Sequence, residues 1–149
     1  DRIAEAFDEA GAIHLDASQY EITRVENGIP GIRHELPGDY TPFEVNLDVA
    51  VSGEKGCYTG QEVLARQVTY DKIVRRMAGI RLESPAEPGD KIYNGAAPVG
   101  EITSAVLSPQ YGAIALGVIR RPAYQAGTNV LVKREDETIQ GVVVELPFH

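Results

Sequence analysis

At residues 75–82 the sequence reads Arg75-Arg76-Met77-Ala78-Gly79-Ile80-Arg81-Leu82, and its apolar residues change here from a helical period to a period of two. Such alternation is typical of a strand with one buried face. Further short segments of this kind follow, separated by turn signals such as Asn94-Gly95. About six short strands in ~75 residues predict a small antiparallel barrel or sandwich. The other predicted strands cover residues 91–93, 99–107, 113–120, 129–134 and 138–146.

The part of the chain before these strands begins with a helical pattern. Apolar residues recur at i, i+3, i+4 and i+7 within residues 2–10, and Gly11 is a natural helix stop because glycine accepts a positive φ. We expect a short strand at residues 12–15. A connection rich in proline and glycine occupies residues 28–42. Residues 43–51 predict a buried strand or a short helix.

A second helix is predicted from the pair Ser18 and Glu21, which has the spacing of a capping box. This spacing favours a helix that runs to about residue 27, and a strand over residues 20–25 is the alternative. Helices followed by a run of strands indicate an α+β fold. The chain therefore divides into a mixed α+β part at residues 1–76 and an all-β part at residues 77–149.

Composition and charge exclude several classes of protein. The 149 residues are 43% hydrophobic and 24% charged, which is ordinary for a folded domain and too apolar for intrinsic disorder. The net charge of −8 is spread over both predicted parts, so we expect no DNA partner. No apolar run reaches the roughly 18 residues that cross a bilayer, so we expect no membrane partner.

Cys57 is the only cysteine of the chain. One thiol forms neither an internal disulfide nor a cysteine-rich metal site, and we predict no bound metal. A single cysteine fits a reducing compartment, and we predict a cytoplasmic location. The chain starts at Asp1 without an initiator methionine and opens directly into a helical pattern. We interpret it as a fragment or a processed product.

The stretch with the most chemical character reads Lys55-Gly56-Cys57-Tyr58-Thr59-Gly60-Gln61-Glu62. Thr59 and Glu62 have the spacing of a capping box, which predicts a helix over about residues 60–70. Cys57 would then lie just before a helix N-terminus, whose unpaired amides carry about half a positive charge. This charge favours the thiolate form, so we expect Cys57 to be a reactive, catalytic residue.

The neighbours of Cys57 support this hypothesis in different ways. A lysine adds positive charge, and two glycines let the backbone approach a ligand closely. Tyr58 offers a ring for stacking and a hydroxyl for hydrogen bonding. The alternative is that Cys57 is a small buried hydrophobe among ordinary surface residues. The motif-supporting residues are Lys55, Gly56, Gly60, Gln61 and Glu62.

The octapeptide resembles the signature of the YgfZ branch of the GcvT/YgfZ folate-binding family, Lys-Gly-Cys-Tyr-any-Gly-Gln-Glu, at every fixed position. The run Arg-Val-Glu-Asn-Gly-Ile-Pro at residues 24–30 is similar to the family's Arg-Ile-Glu-Ala-Gly-Ile-Pro, with departures at Val25 and Asn27. The resemblance covers nearly the whole chain in the right order. Three more segments resemble the family, at residues 41–48, 75–77 and 99–104.

The resemblance implies that the chain is the C-terminal half of a protein about twice as long. The implied fold is the end of a mixed α/β folate-binding domain followed by a small antiparallel β-barrel of about six strands. The missing N-terminal half of the same protein would complete a central cavity for folate, with tetrahydrofolate as the cofactor. Glu26 occupies the position of a folate-contacting glutamate, and Arg24 and Tyr58 are further candidate folate-binding residues.

The family has two functional branches, and the octapeptide belongs to the YgfZ branch. The resemblance therefore implies a folate-binding accessory protein that supports iron–sulfur cluster assembly or repair, with iron–sulfur client or assembly proteins as partners. The alternative is a tetrahydrofolate-dependent aminomethyltransferase of the glycine cleavage T-protein type. Its key aspartate would lie in the absent N-terminal half. A third interpretation is an interaction module whose β part binds a partner.

Overall fold

The computed structural model describes residues 2–36, 39–135 and 137–149. In these residues, helices precede a run of strands, as the α+β prediction requires. The helices are α1 (Arg2–Glu9), α2 (Ala17–Glu26) and α3 (Gln61–Thr69), with 3-10 helices at Pro42–Val45 and Asp48–Ala50. The strands are β1 (Arg75–Leu82), β2 (Lys91–Tyr93), β3 (Pro98–Ser108), β4 (Gly112–Arg120), β5 (Asn129–Arg134) and β6 (Glu137–Val144).

The six strands form a closed antiparallel barrel in the order β1-β4-β3-β2-β5-β6. The first strand closes the barrel because it pairs on both sides, so that Gly79 lies opposite Leu116 of β4 and Val144 of β6. The register of β3 against β4 shifts between Ile102 and Ser104, where a β-bulge bends the strand. The prediction of a small antiparallel barrel of about six strands is confirmed, and the sandwich alternative is wrong.

The barrel interior is filled by one side of each strand, as the alternating pattern predicts. Its largest side chains are branched aliphatic residues with almost no solvent contact, since Ile80, Ile92 and Ile119 are all fully buried. Strand β4 differs, because every residue from Ile114 to Ile119 is buried. A strand buried on both faces needs a cover on the outside of the barrel.

The helical part of the chain supplies that cover. A second apolar cluster joins Val25 of α2 and Val45 of the first 3-10 helix to Leu116 and Val118 of β4. Phe148, beyond the last strand, belongs to the same cluster. The end of α2 is therefore fixed against the outer wall of the barrel. Strand β1 begins two residues before the predicted boundary at 76/77, and the division into two domains stays a prediction.

The predicted helices at residues 2–10 and 18–27 are confirmed, and the strand alternative for residues 20–25 is wrong. In the segment predicted as a buried strand or a short helix, 3-10 helices form at Pro42–Val45 and Asp48–Ala50, so the strand alternative is wrong there. The expected strand at residues 12–15 is also wrong, since this segment has no regular structure. All strands of the described ranges belong to the barrel, so none of them supplies the hydrogen bonds that a strand at residues 12–15 requires.

Both predicted capping boxes are wrong, because other residues occupy the N-cap positions of the two helices. Asp16, and not Ser18, caps α2: its Oδ1 accepts from the Gln19 amide at 2.8 Å, and its own amide donates to Oε1 of Gln19 at 2.9 Å. A carboxylate is an equally good cap, and starting earlier adds residues to the helix.

Helix α3 starts after Gly60, which is its N-cap and has a φ of 89°. Glycine accepts this left-handed conformation without steric cost, so the helix starts without a side-chain cap from Thr59. Glu62 instead forms an ion pair with Arg66 one turn later, at 2.6 Å. Within the described ranges, no helix is long and apolar enough to cross a membrane.

Candidate functional site

The octapeptide forms the loop that leads into α3. Cys57 is a free, exposed thiol in this loop, so the alternative of a buried hydrophobe is wrong. The Lys55 ammonium lies 4.8 Å from the centre of the Tyr58 ring, a cation–π contact. The loop is tied to the helix by the Gln61 amide, which donates to the Tyr58 carbonyl at 3.2 Å. The loop thus carries a positive charge and an aromatic ring in addition to the thiol.

Tyr58 and Gln61 also line a groove of about 380 Å³ beside α3. Its walls are mostly apolar, and one side is formed by Phe43 of the first 3-10 helix. Such a surface suits stacking of a flat ring, and its few polar groups would orient a ligand. The groove includes neither Glu26 nor Arg24. The other lining residues are Val51, Ser52, Gly53, Leu64, Ala65, Val68 and Thr69.

Arg24 lies inside the protein, with 2% of its surface exposed. Its Nη1 donates to the Ile29 carbonyl at 2.7 Å and forms an ion pair with Glu35 at 3.3 Å. Its Nη2 donates to Glu21 at 2.7 Å and to the Ser104 hydroxyl at 2.8 Å. These contacts connect α2, the loop after it and strand β3. The predicted folate contact of Arg24 stays a prediction.

Glu35 is a buried carboxylate that the sequence analysis missed. It accepts from the Ser104 hydroxyl at 2.7 Å and from the Gly31 amide at 2.7 Å, in addition to its ion pair with Arg24. The residue lies in the connection rich in proline and glycine, where a glutamate gives no periodic signal. Only the tertiary fold brings it beside Arg24 and β3.

Glu26 is half-buried at the C-terminus of α2. Its Oε1 accepts from the Ser108 hydroxyl at 2.6 Å, and its backbone carbonyl accepts from the Phe148 amide at 2.9 Å. Oε2 accepts no hydrogen bond from the residues that the structure describes. A carboxylate has about four lone-pair sites, so Glu26 is fixed in place and still has room to accept further donors.

A second polar cluster surrounds a cavity of about 300 Å³ next to β3. Burial and the Glu101 carboxylate raise the pKa of Tyr40 to about 12, and the Tyr40 hydroxyl donates to Glu101 at 3.1 Å. Burial alone would raise the pKa of Glu44, but hydrogen bonds from Arg75 and from the Thr41 amide hold it below its usual range. These groups satisfy one another and stabilise the contact between the helical part and the barrel.

The described residues contain no cluster of potential metal ligands. Across residues 2–36, 39–135 and 137–149, no three His, Cys, Asp or Glu side chains come close enough to hold a metal ion. The sequence-predicted residues thus fall into two places. Glu26 and Arg24 lie at the barrel wall, and the octapeptide lies at the start of α3.

The described residues thus form a closed six-stranded antiparallel barrel with a helical segment on its outer wall. Residues 75–149 match the family described as the glycine cleavage T-protein C-terminal barrel domain. The chain therefore belongs to the glycine cleavage T-protein (GcvT) folate-binding family and corresponds to its C-terminal part.

Curated relatives support the same family. A chloroplastic protein of Arabidopsis thaliana, provisionally named a transferase, is 37% identical over 139 residues, which are 93% of this chain and 32% of that protein. An aminomethyltransferase of Thermosynechococcus vestitus is 37% identical over 143 residues, which are 94% of this chain and 39% of that protein. The chain thus spans about a third to two fifths of the length of these relatives.

A solved structure shows the same fold. The glycine cleavage system aminomethyltransferase T from Bartonella henselae superposes with a TM-score of 0.83 over 99% of this chain and 43% of that one. The sequence identity is 22%, so this likeness concerns the fold alone. The YgfZ branch, which rests on the octapeptide, stays a prediction.

Proposed function

We propose that the intact protein to which this chain belongs binds tetrahydrofolate and acts as a folate-dependent aminomethyltransferase of the T-protein type. The observation that carries the proposal is the Glu26 carboxylate, whose Oε1 is held by Ser108 and whose Oε2 accepts no hydrogen bond from the described part of the chain. Relatives named aminomethyltransferases, one of them 37% identical, support the reaction class.

The chemistry of Glu26 fits one edge of a folate. A pterin presents neighbouring N–H donors, and a carboxylate accepts such a pair in bidentate fashion. Bound tetrahydrofolate would accept the one-carbon unit. The role of this chain would be to orient the pterin through Glu26, while Arg24 fixes the loop beside it. Tyr58 would contribute stacking if the rest of the protein brings its groove to the same cavity.

Titration of the intact protein with folinic acid tests folate binding. A charged hydrogen-bond acceptor contributes about 1.5–3 kcal/mol, so Glu26→Gln should weaken binding roughly tenfold to a hundredfold. The matched control is Glu83→Gln, because Glu83 is an exposed carboxylate of the barrel part. Equal affinities for the wild type and Glu26→Gln would reject Glu26 as a folate ligand.

A second candidate function is the YgfZ-like accessory role in iron–sulfur cluster assembly or repair. The specific observation in its favour is the exposed Cys57 thiol, with the Lys55 ammonium and the Tyr58 ring in the same loop. Clusters usually need about four protein ligands. Any cluster contact of Cys57 would therefore be shared with a client or assembly protein.

The two candidate functions predict different effects of replacing Cys57. A transferase should transfer a one-carbon unit to tetrahydrofolate in vitro and keep that activity in Cys57→Ala. An accessory protein should show no transfer, and Cys57→Ala should lower the activity of an iron–sulfur enzyme in cells. The informative control in cells is Cys57→Ser, which keeps the size of the side chain and removes the thiol.

The remaining part of the intact protein is the first partner that we propose. Large exposed apolar side chains concentrate in the helical part, which is typical of a surface that another part of the molecule covers. The relatives are two to three times as long as this chain, in agreement with such a partner. Examples of the exposed side chains are Phe7, Ile13, Val49, Val63 and Val68.

A cytoplasmic location stays our prediction, and the relatives include chloroplastic and mitochondrial proteins.

A further inference from the structure

Ser108, at the end of β3, is a buried residue whose hydroxyl is fully used. It is 3% exposed, and its oxygen accepts from the Gln110 amide at 3.0 Å and from the Tyr111 amide at 2.9 Å. A serine hydroxyl has two acceptor sites and one proton. With both acceptor sites occupied, the direction of the proton is fixed, and it points along the 2.6 Å hydrogen bond to Oε1 of Glu26.

The backbone of Glu26 is anchored independently of Ser108. Its carbonyl accepts from the Phe148 amide, and its neighbour Val25 is fully buried against β4. The main chain of Glu26 therefore stays in place without the serine. What the serine adds is the direction of the carboxylate, because a glutamate side chain has several rotatable bonds and only one oxygen is held.

We propose that Ser108 is a positioning residue that orients the Glu26 carboxylate for folate. The β3–β4 hairpin of the barrel would thereby set the orientation of a folate-binding side chain that belongs to α2. The inference rests on the proposed role of Glu26 as a folate ligand. Ser108 acts through Glu26 and contacts no ligand itself. Replacing Ser108 should lower the affinity for folate, because the Glu26 carboxylate would still be present but would no longer be held in one orientation.

The proposed role of Ser108 is specific and is not shared by the other buried hydroxyls of β3. Thr103 of the same strand is also buried, and its hydroxyl donates to the Leu116 carbonyl at 3.1 Å. Among the hydrogen bonds of the described residues, the Thr103 hydroxyl has none to Glu26, Ser108 or Phe148. Thr103→Val therefore removes a buried hydroxyl of β3 at constant volume and serves as the matched control.

The test is a double-mutant cycle in the full-length protein, with folinic acid as the titrant. We expect Ser108→Ala to weaken binding about five- to tenfold, and Thr103→Val to change it less than twofold. In a Glu26→Gln background, Ser108→Ala should add less than a twofold effect, because residues that act as one unit are not additive. An equal effect of Ser108→Ala in both backgrounds would overturn the inference.

A second pair of variants keeps the test valid if Ser108→Ala disturbs the hairpin. Ser108→Thr and Ser108→Val have the same shape, and only the threonine retains a hydroxyl. We expect the threonine variant to bind folinic acid at least fivefold more tightly than the valine variant. Equal affinities would exclude a role of the hydroxyl. If Glu26→Gln alone leaves binding unchanged, the proposed function of Glu26 fails, and any loss in Ser108→Ala would then show that Ser108 does not act through Glu26.

Discussion

Arg24 and Glu35 form an ion pair in the interior of the protein, with 3.3 Å between Nη1 and Oε2 and side-chain exposures of 2% and 0%. The pair joins the end of α2 to a loop that has no regular secondary structure of its own. Ser104 of β3 completes the arrangement, because its hydroxyl lies within hydrogen-bond distance of both side chains. The helical part and the barrel are thus connected by charge as well as by apolar contacts.

Neutralising Glu35 should destabilise the chain strongly. In Glu35→Gln, Glu21 is the one anionic partner that Arg24 keeps among the residues that the structure describes, and a buried charge that loses its partner costs about 3–5 kcal/mol. Since Glu21 remains, we expect about 3 kcal/mol, measured as the free energy of unfolding in urea. The control is Glu62→Gln in the exposed pair with Arg66, where about 0–0.5 kcal/mol is expected. Similar losses in the two variants would contradict this prediction.

The ion pair of Glu44 and Arg75 should make stability depend on pH in the acid range. The pKa of Glu44 is lowered in the folded protein, so its contribution is present above the unfolded value of about 4.5. That contribution is lost as the pH falls through the lower, folded pKa.

Glu44→Gln should therefore cost about 1–3 kcal/mol at neutral pH and flatten the stability profile below about pH 4.5. Urea unfolding of the wild type and the variant at a series of pH values measures both effects. Parallel profiles for the two proteins would show that another carboxyl group carries the acid dependence.

The close approach of β3 and β4 should make Gly100 intolerant of any side chain. A Cβ at this position would overlap the Val118 carbonyl oxygen and lie 3.0 Å from Cα of Ile119. Because these atoms are backbone, they cannot move aside, and Gly100→Ala should cost about 2–3 kcal/mol of unfolding free energy.

A second glycine variant controls for the change in chain entropy. A Cβ at Gly53 would meet no atom within 4 Å. Gly53→Ala should therefore stay within about 1 kcal/mol of the wild type. If both variants lose the same stability, the strands have room that the structure does not show.

The thiol of Cys57 should react in the folded chain without any denaturant, because the residue is exposed. A chromogenic aromatic disulfide should modify one thiol per chain, and the number should not rise on unfolding, since the chain has no other cysteine. Cys57→Ser should give no signal. Modification that requires a denaturant would place the thiol in the interior and remove the support for a reactive role.

The barrel could be predicted from the sequence because each strand carries its own signal. Residues 75–82 alternate along one strand, and turn dipeptides such as Asn94-Gly95 mark where the chain reverses. Strand β4 is apolar on both sides, and its sequence agrees with burial beneath α2. These signals are local, so they need no knowledge of the fold.

The polar contacts could not be predicted in the same way. Ser108 and Glu26 are separated by 82 positions in the chain, and Ser104 and Glu35 by 69. Serine and glutamate are usually exposed, so nothing in their local sequence indicates burial. The caps were missed for a different reason, because several polar residues lie near each helix start and small differences in backbone geometry select among them. The identity of Glu26 as a candidate came from the family resemblance.

The pairing of β1 with both β4 and β6 limits how another molecule can bind this chain. In the barrel that the structure describes, each strand already has a neighbour on either side. No strand of the described barrel has a whole side open, so addition of a full strand by a peptide or a second protein would have to displace a strand that is already paired. Recognition is expected to use side chains and connecting loops, and the same closure disfavours edge-to-edge aggregation.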